Sequence, residues 1–224
     1  MKKLAIVGYG KMGRLIEQLA PEYDFAIHAR IDVDDDLAIA KGADAAIEFT
    51  MPRAAASNIE KLAAIGVPVV VGTTGWLDQM DRVCAAIERH RTGLVWSPNF
   101  SIGVNVFSRL VREAARLLAN EPGYGAWAWE IHHHTKKDAP SGTLVHLVQE
   151  MKAAGYAQPV DCASSRAGAH PGTHEIGFDS PADTITLRHA ARSREGFARG
   201  ALKAAQWIVG KKGVYEFSEI LFER

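Results

Sequence analysis

The sequence predicts an α/β fold in which a parallel sheet carries helices on both faces and gives way, beyond its midpoint, to an α+β mixed sheet. Three observations predict it. Apolar strand-like runs alternate with amphipathic helical ones through the first hundred residues, a glycine-rich loop follows the first run, and from about Tyr124 the alternating stretches lengthen. The 224 residues suffice for one large domain or two small ones. With 47% hydrophobic residues and 26 Lys+Arg against 26 Asp+Glu, the chain lies outside the composition of disordered segments. The same balance removes the basic excess expected of a nucleic-acid binder.

Taken in order, Lys3 to Val7 reads as a strand and Lys11 to Ala20 as the helix after it. Phe25 to Ile31 and Ala45 to Phe49 are the next strands, the latter followed by a helix over Arg53 to Ile65. The β-branched run Val67 to Val71 leads to a helix over Leu77 to Arg91. Gly93 to Trp96 is followed by a helix over Val104 to Ala119, with Val106, Leu110, Val111 and Leu117 assigned to one side. Beyond it, Ala126 to His133, Thr173 to Phe178 and Asp183 to His189 alternate as strands around one helix over Thr143 to Ala154. A helix near Phe197 to Val209 and a short run Val214 to Phe217 finish the chain. The pattern places a second, mixed-sheet domain at 102–194.

The longest uncharged stretches, Leu62 to Leu77 and Thr92 to Ser108, are broken by Gly, Pro, Thr, Ser or Asn, so no membrane span is expected. The start MKKLAIVGYGKMGR lacks the apolar core of a signal peptide, and a cytoplasmic location is expected. Cys84 and Cys162 have neither metal-ligand nor CxxC spacing.

In parallel sheets the ligand lies beyond the carboxyl ends of the strands, and there the chemistry is found. Gly8-Tyr9-Gly10-Lys11-Met12-Gly13 forms a GxGxxG loop between the first strand and first helix. Its glycines permit a tight turn and close approach to a pyrophosphate, with helix amides facing the anion. Asp32 ends the second strand, nineteen residues after Gly13, where it can accept from an adenosine ribose. It would repel a 2′-phosphate, but Lys11 and Arg30 are cations able to offset it, so NADH and NADPH both remain open. Gly72-Thr73-Thr74-Gly75 and Ser97-Pro98-Asn99-Phe100-Ser101 follow the fourth and fifth strands, with small polar groups suited to a nicotinamide ribose and carboxamide. Together these features mark a Rossmann-type dinucleotide-binding domain.

The densest chemistry is Glu130-Ile131-His132-His133-His134-Thr135-Lys136-Lys137-Asp138-Ala139-Pro140-Ser141-Gly142-Thr143. If the strand beginning near Ala126 continues, His132, His134 and Lys136 share one face and His133 takes the other. Pro140 before a helical run sets Ser141, Gly142 and Thr143 at a helix start, a site for carboxylate or phosphate. The triplet His132-His133-His134 lacks the i, i+4 spacing of a helical metal site, and no metal is expected. A cofactor, an anion site and a proton donor together describe a reductase. Competing readings are an NAD(P)-dependent amino-acid (amine) dehydrogenase and a non-catalytic NADH-sensing module. Neither needs the combination of His132, Lys136 and the Ser141 helix start.

These residues resemble the dihydrodipicolinate reductases, also called 4-hydroxy-tetrahydrodipicolinate reductases, of the diaminopimelate and lysine pathway. The resemblance spans essentially the whole chain: Met12-Gly13-Arg14, Glu48-Phe49-Thr50, GTTG at 72–75, PNFSIGVN at 98–105 and EIHHHTKKDAPSGT at 130–143. The last is the most specific, a His-His pair with a Lys three residues on and then Asp-x-Pro-Ser-Gly-Thr. Arg166-Ala167-Gly168 and Arg194 to Gly200 are similar to later motifs of the family. The chain departs from many members in its six-residue glycine loop and its compact stretch between Ala154 and Thr173. The resemblance implies a dinucleotide-binding domain at 1–101 completed by 195–224, and a central substrate domain that builds a homotetramer. It implies that His132 and Lys136 serve as catalytic acid/base and proton donor. By the same resemblance, His133 contacts a small dicarboxylate substrate and Gly142 and Thr143 hold a carboxylate. It also places the cofactor against Gly8 to Gly13, Asp32, Gly72 to Thr74 and Ser97 to Phe100.

Overall fold

The structure, a computed structural model, describes residues 1–223. The chain runs β1 (Lys2–Val7), α1 (Lys11–Leu19), β2 (Phe25–Ile31), β3 (Ala45–Glu48), α2 (Pro52–Ala64), β4 (Val69–Val71), α3 (Met80–His90), β5 (Gly93–Trp96) and α4 (Ile102–Leu118). It continues with β6 (Gly125–His132), α5 (Gly142–Ala153), β7 (Val160–Arg166), β8 (Thr173–Asp179), β9 (Thr184–Ala190), α6 (Glu195–Ile208), β10 (Gly213–Glu216) and α7 (Phe217–Phe222). By its contacts the chain divides into two compact units, one of residues 1–102 with the segment from Glu195 onward, the other Gly103–Arg194.

The first unit holds a six-stranded sheet in the order β10-β5-β4-β3-β1-β2, every pair parallel. Because successive side chains point to opposite faces, each strand feeds two cores. Ala5, Val7, Ala46, Val69 and Val71 meet Ile59 and Leu62 of α2 and Val83 and Ile87 of α3. Leu4, Ile6, Ile47, Val70 and Val95 meet Ile16 and Leu19 of α1 and Ala201, Leu202 and Ile208 of α6. Burial on both faces explains why these strands read as continuous apolar runs. Each fully buried Leu, Ile or Val contributes roughly 1.5–3 kcal/mol of transfer free energy. The small residues Ala198, Gly200, Ala201, Ala204 and Ala205 let α6 lie close against the sheet, with Gly200 directly over the Phe100 carbonyl. Winding reverses between β1, which pairs with β2 on one side, and β3 on the other. A crevice opens at such a switch point.

The second unit is a four-stranded mixed sheet in the order β7-β6-β8-β9, with β7 parallel to β6 and the other pairs antiparallel. Ala126, Ala128, Ile176 and Phe178 point to one face and pack against Phe107, Val111 and Ala115 of α4 and Leu144, Leu147 and Met151 of α5.

Two expectations about elements need correction. The buried stripe of α4 is Val104, Phe107, Val111 and Ala115, whereas Val106, Leu110 and Leu117 are exposed. Leu110 and Val111 are neighbours about 100° apart on the helix, so an apolar count over that arc straddled the true stripe. The strand β7 was not expected at all. Its sequence, VDCASSR, has no apolar alternation and most of it is exposed, as an edge strand permits.

Candidate functional site

In the first unit the loops after the strands are tied together by their backbone. The amides of Gly8, Phe49 and Gly72 donate to the carbonyls of Ile31, Val7 and Glu48 at 2.8, 2.8 and 2.9 Å. Gly8 has φ +91°, and a Cβ there would stand 2.1 Å from the Phe49 carbonyl oxygen, so only glycine closes this turn. Gly10 is the N-cap of α1, with no side-chain cap and open space where a Cβ would project. No acidic residue occupies the helix's first turn. Unclaimed amides at an uncapped helix start with nothing crowding them fit a pyrophosphate.

Asp32 lies just past β2, exposed, its Oδ1 accepting from the Val33 amide at 3.0 Å. Arg30, read as a possible counter-charge to a 2′-phosphate, is engaged elsewhere: its guanidinium makes a two-pronged contact with Glu17, whose carboxylate also receives the Tyr9 hydroxyl. Lys11 is exposed. On the far side of the edge, Thr73 Oγ1 accepts from the Thr50 amide at 2.8 Å, and the Ser97 hydroxyl donates to the Asn99 carbonyl at 2.9 Å. Thr73, Thr74, Ser97 and Pro98 line one cavity of about 30 Å³ with Trp96, bringing the two predicted loops together. Phe100 is buried instead, its ring against Phe217 at 4.9 Å. Fully buried Glu48 accepts from Asn58 at 3.3 Å and from the Thr50 hydroxyl, and burial pushes its carboxyl up.

In the second unit, β6 ends at His132 and does not continue through Lys136. Its neighbours run out there: β7 stops at Arg166 and β8 begins at Thr173. The intervening loop takes over, with the amides of Ala167, His133 and His134 bonding the carbonyls of His132, His170 and Gly168. The shared face expected of His132, His134 and Lys136 therefore does not form. His132 turns inward, as Ala126, Ala128 and Glu130 do. His133 is half-buried with Nδ1 2.7 Å from Thr135 Oγ1, and His134 meets the Gly168 carbonyl at 2.9 Å.

Ser141 caps α5, its hydroxyl accepting from the Leu144 amide at 3.2 Å, and it is buried; Gly142 and Thr143 are more accessible. Half-buried Lys136 places Nζ 2.8 Å from Asp138 Oδ1. Lys136 foremost, and backbone amides including that of Gly142 more weakly, hold the Asp138 carboxyl below its usual range.

Around His132 lies a cluster of which the sequence reading named only part. Fully buried Glu130 accepts from the Ser141 amide (2.8 Å), Ser164 Oγ (2.9 Å) and Arg166 Nη2 (2.8 Å). Burial alone would raise its carboxyl, but the donors, Ser141 and Arg166 foremost, outweigh it and hold it at about 2. His174 Nε2 stands 3.4 Å from Glu130 and 3.2 Å from Ser141 Oγ, and burial pushes its imidazole down to about 4. Glu130, His132 and His174 thus bring three potential metal donors within 4.8 Å of one another, which the triplet at 132–134 does not. Arg166 already compensates the carboxylate's charge. His174 was assigned no role from sequence; the available signal was its phase, two and four residues before the core positions Ile176 and Phe178.

A parallel sheet with a glycine loop at its carboxyl edge, joined in one chain to a mixed-sheet unit with a serine-capped helix start, defines a dinucleotide-dependent oxidoreductase architecture. Residues 2–100 match the family model described as dihydrodipicolinate reductase, N-terminus, and residues 103–221 match its C-terminus counterpart. The chain belongs to the dihydrodipicolinate reductase family. A 4-hydroxy-tetrahydrodipicolinate reductase of Christiangramia forsetii is 34% identical over 97% of each chain. Among solved structures, a dipicolinate-bound dihydrodipicolinate reductase from Paenisporosarcina sp. TG-14 superposes with a TM-score of 0.83 at 20% identity, covering 98% of this chain and 99% of that one. An amine dehydrogenase from Mycobacterium smegmatis shares the fold more loosely, at TM-score 0.63 and 8% identity over 97% and 95%.

Proposed function

We propose that this chain reduces 4-hydroxy-tetrahydrodipicolinate, a cyclic dicarboxylated imine, to tetrahydrodipicolinate with NADH or NADPH, the reaction for which its relatives are named. The observation that carries the reading is the capture of a carboxylate, that of Asp138, by Lys136, six residues before α5 starts at Gly142. Asp138 is exposed, so a substrate carboxylate can take its place there. Lys136, Gly142 and Thr143 then fix the ring, with Ser141 capping the helix beneath them and His133 beside it. Such orientation lowers the barrier by removing motional freedom before reaction.

The reduced nicotinamide, when bound against Gly8–Gly13, Asp32, Gly72–Thr74 and Ser97–Asn99, supplies a hydride. The chain's own residues supply the rest. The 4-hydroxyl leaves as water with a proton donated by the site while the neighbouring ring carbon returns one, and after the hydride a further proton joins the reduced ring beside the new C–H bond. Lys136 and His132 are the donors we assign, a role typically worth about 10²- to 10⁴-fold in rate. An imidazole is suited to it because its ordinary pKa lies near neutrality.

We assign the dinucleotide to residues 1–101 with 195–224 and the substrate to 102–194. We also place the protein in the cytoplasm as a homotetramer. Supporting the first is that no helix among the described residues is long and apolar enough to cross a membrane. Supporting the second are Trp127, Trp129 and Ile131, half-exposed on the face of β6 turned away from α4 and α5.

The test is the loss of NADH or NADPH absorbance when substrate is generated from pyruvate and aspartate semialdehyde by the preceding synthase. Synthase-dependent oxidation is expected. Binding of both cofactors without oxidation would reject the assignment in favour of an amine dehydrogenase or an NADH-sensing module.

A further inference from the structure

The two oxygens of Glu130 meet different surroundings. Oε1 takes all three donors, from Ser141, Ser164 and Arg166. Oε2 lies 3.5 Å from His132 Nδ1, and both atoms are buried without a hydrogen-bond partner. Leaving a buried polar group unsatisfied is costly, more so when it is charged, so one-sided satisfaction calls for a reason. We propose that Glu130 is the positioning residue of the reaction: its Oε2 holds the Nδ1 proton of His132, fixing the tautomer and leaving Nε2 to exchange protons with substrate. This deepens the reductase reading and rests on it through His132.

Three features of the surroundings support the assignment. The donors on Oε1 lock the carboxylate plane, and Arg166 keeps it ionised, so Oε2 accepts a proton bond and does not offer one. His174 also faces Oε2 at 3.4 Å, but its Nε2 has Ser141 Oγ as a second partner and His132 Nδ1 has none. On the other edge of the ring, Gly172 has φ +138°, and a Cβ there would come 2.9 Å from His132 Nε2. Glycine keeps side-chain bulk off the atom we assign to proton exchange. The 3.5 Å separation is long for a hydrogen bond, as catalytic contacts often are before substrate binds.

Charge around His132 sets the sign of the pH effect. Burial lowers its pKa first, Glu130 opposes that, Lys136 and Arg166 add to the lowering, and Asp138 opposes it. The His174 ring stands edge-on at 5.1 Å. Removing the Glu130 charge therefore drops the imidazolium further.

The experiment pairs two readouts. In the whole protein labelled with 15N-histidine, the His132 resonances, assigned by their loss in His132→Asn, should show the neutral ring with hydrogen on Nδ1. The Nε2–H tautomer would overturn the proposal without any variant at Glu130. Glu130→Gln should lower kcat by about 10²- to 10⁴-fold, the range that acid–base catalysis by a positioned side chain supplies. KM should change less than about threefold, NADH binding should stay as in the wild type, and the limb of the kcat/KM profile reporting His132 protonation should move to lower pH. Full kcat with an unmoved profile would overturn the proposal even if the variant were less stable. If Glu130→Gln does not fold, the wild-type tautomer decides. Failure of the wild type to oxidise either cofactor rejects the reductase reading instead, and the tautomer still reports the Glu130 contact.

Discussion

Lys136 sits between two roles that the site separates. Its ammonium lies 2.8 Å from Asp138, yet Asp138 is exposed, and in the proposed function a substrate carboxylate takes its place. An exposed pair of this kind contributes little to stability, about 0–1 kcal/mol, so its value lies in keeping the ammonium positioned. Lys136→Ala is accordingly expected to fold as the wild type does and to lose about 10²-fold or more in kcat/KM for the imine. Its NADH affinity, read by fluorescence titration, should be unchanged, because the residues assigned to the cofactor lie in the other unit. Parallel loss of NADH binding would contradict that division. At this scale the sequence was legible where residue type and spacing carry chemistry. The helix start at Ser141 was readable from Pro140-Ser141-Gly142, but the burial of Glu130 and His174 together was not. A buried charge is recognised by what surrounds it, and Arg166, Ser164 and His174 come from strands that are distant in sequence.

The elements tell the same story with a different boundary. Doubly buried strands such as Val69–Val71 announce themselves as apolar runs, and α1 and α5 begin at a glycine loop and at a capping serine that sequence places within a residue or two. β7 escaped because an edge strand with an exposed surface has no need of apolar residues. The apparent continuation of β6 to Lys136 failed because a strand ends where its partners end, a property of β7 and β8 and not of its own residues. The tail was ambiguous in sequence; its helix α6 is apolar through alanines, whose role is to let it approach the sheet. Gly200 tests that role. A Cβ there would lie 1.7 Å from the Phe100 carbonyl oxygen, a backbone atom that cannot yield without moving the loop after β5. Gly200→Ala should cost about 3 kcal/mol, read as a lower urea midpoint. A variant as stable as the wild type would mean that α6 does not pack this closely.

For the whole molecule, the buried cluster of the second unit links stability to pH. Glu130 is held at about 2 against an ordinary 4.5, and His174 at about 4 against 6.5. Both folded values lie below the unfolded ones, so on acidification the unfolded chain binds each proton first. The contribution of these two groups is complete above about pH 6.5, falls through His174 as pH drops toward 4, and falls again through Glu130 toward 2. Each group contributes a slope of up to about 1.4 kcal/mol per pH unit. Urea midpoints should therefore decline between pH 6.5 and 4, and His174→Gln should flatten that decline; an equally steep variant would remove His174 as its source. In the proposed reaction hydride passes from a nicotinamide to a cyclic dicarboxylate on this chain. The most direct test is mass spectrometry of the product formed with reduced nicotinamide deuterated at the transferring position. The account predicts tetrahydrodipicolinate one mass unit heavier, in equal amount to the cofactor oxidised. Unlabelled product, or oxidation of the cofactor without product, would contradict it.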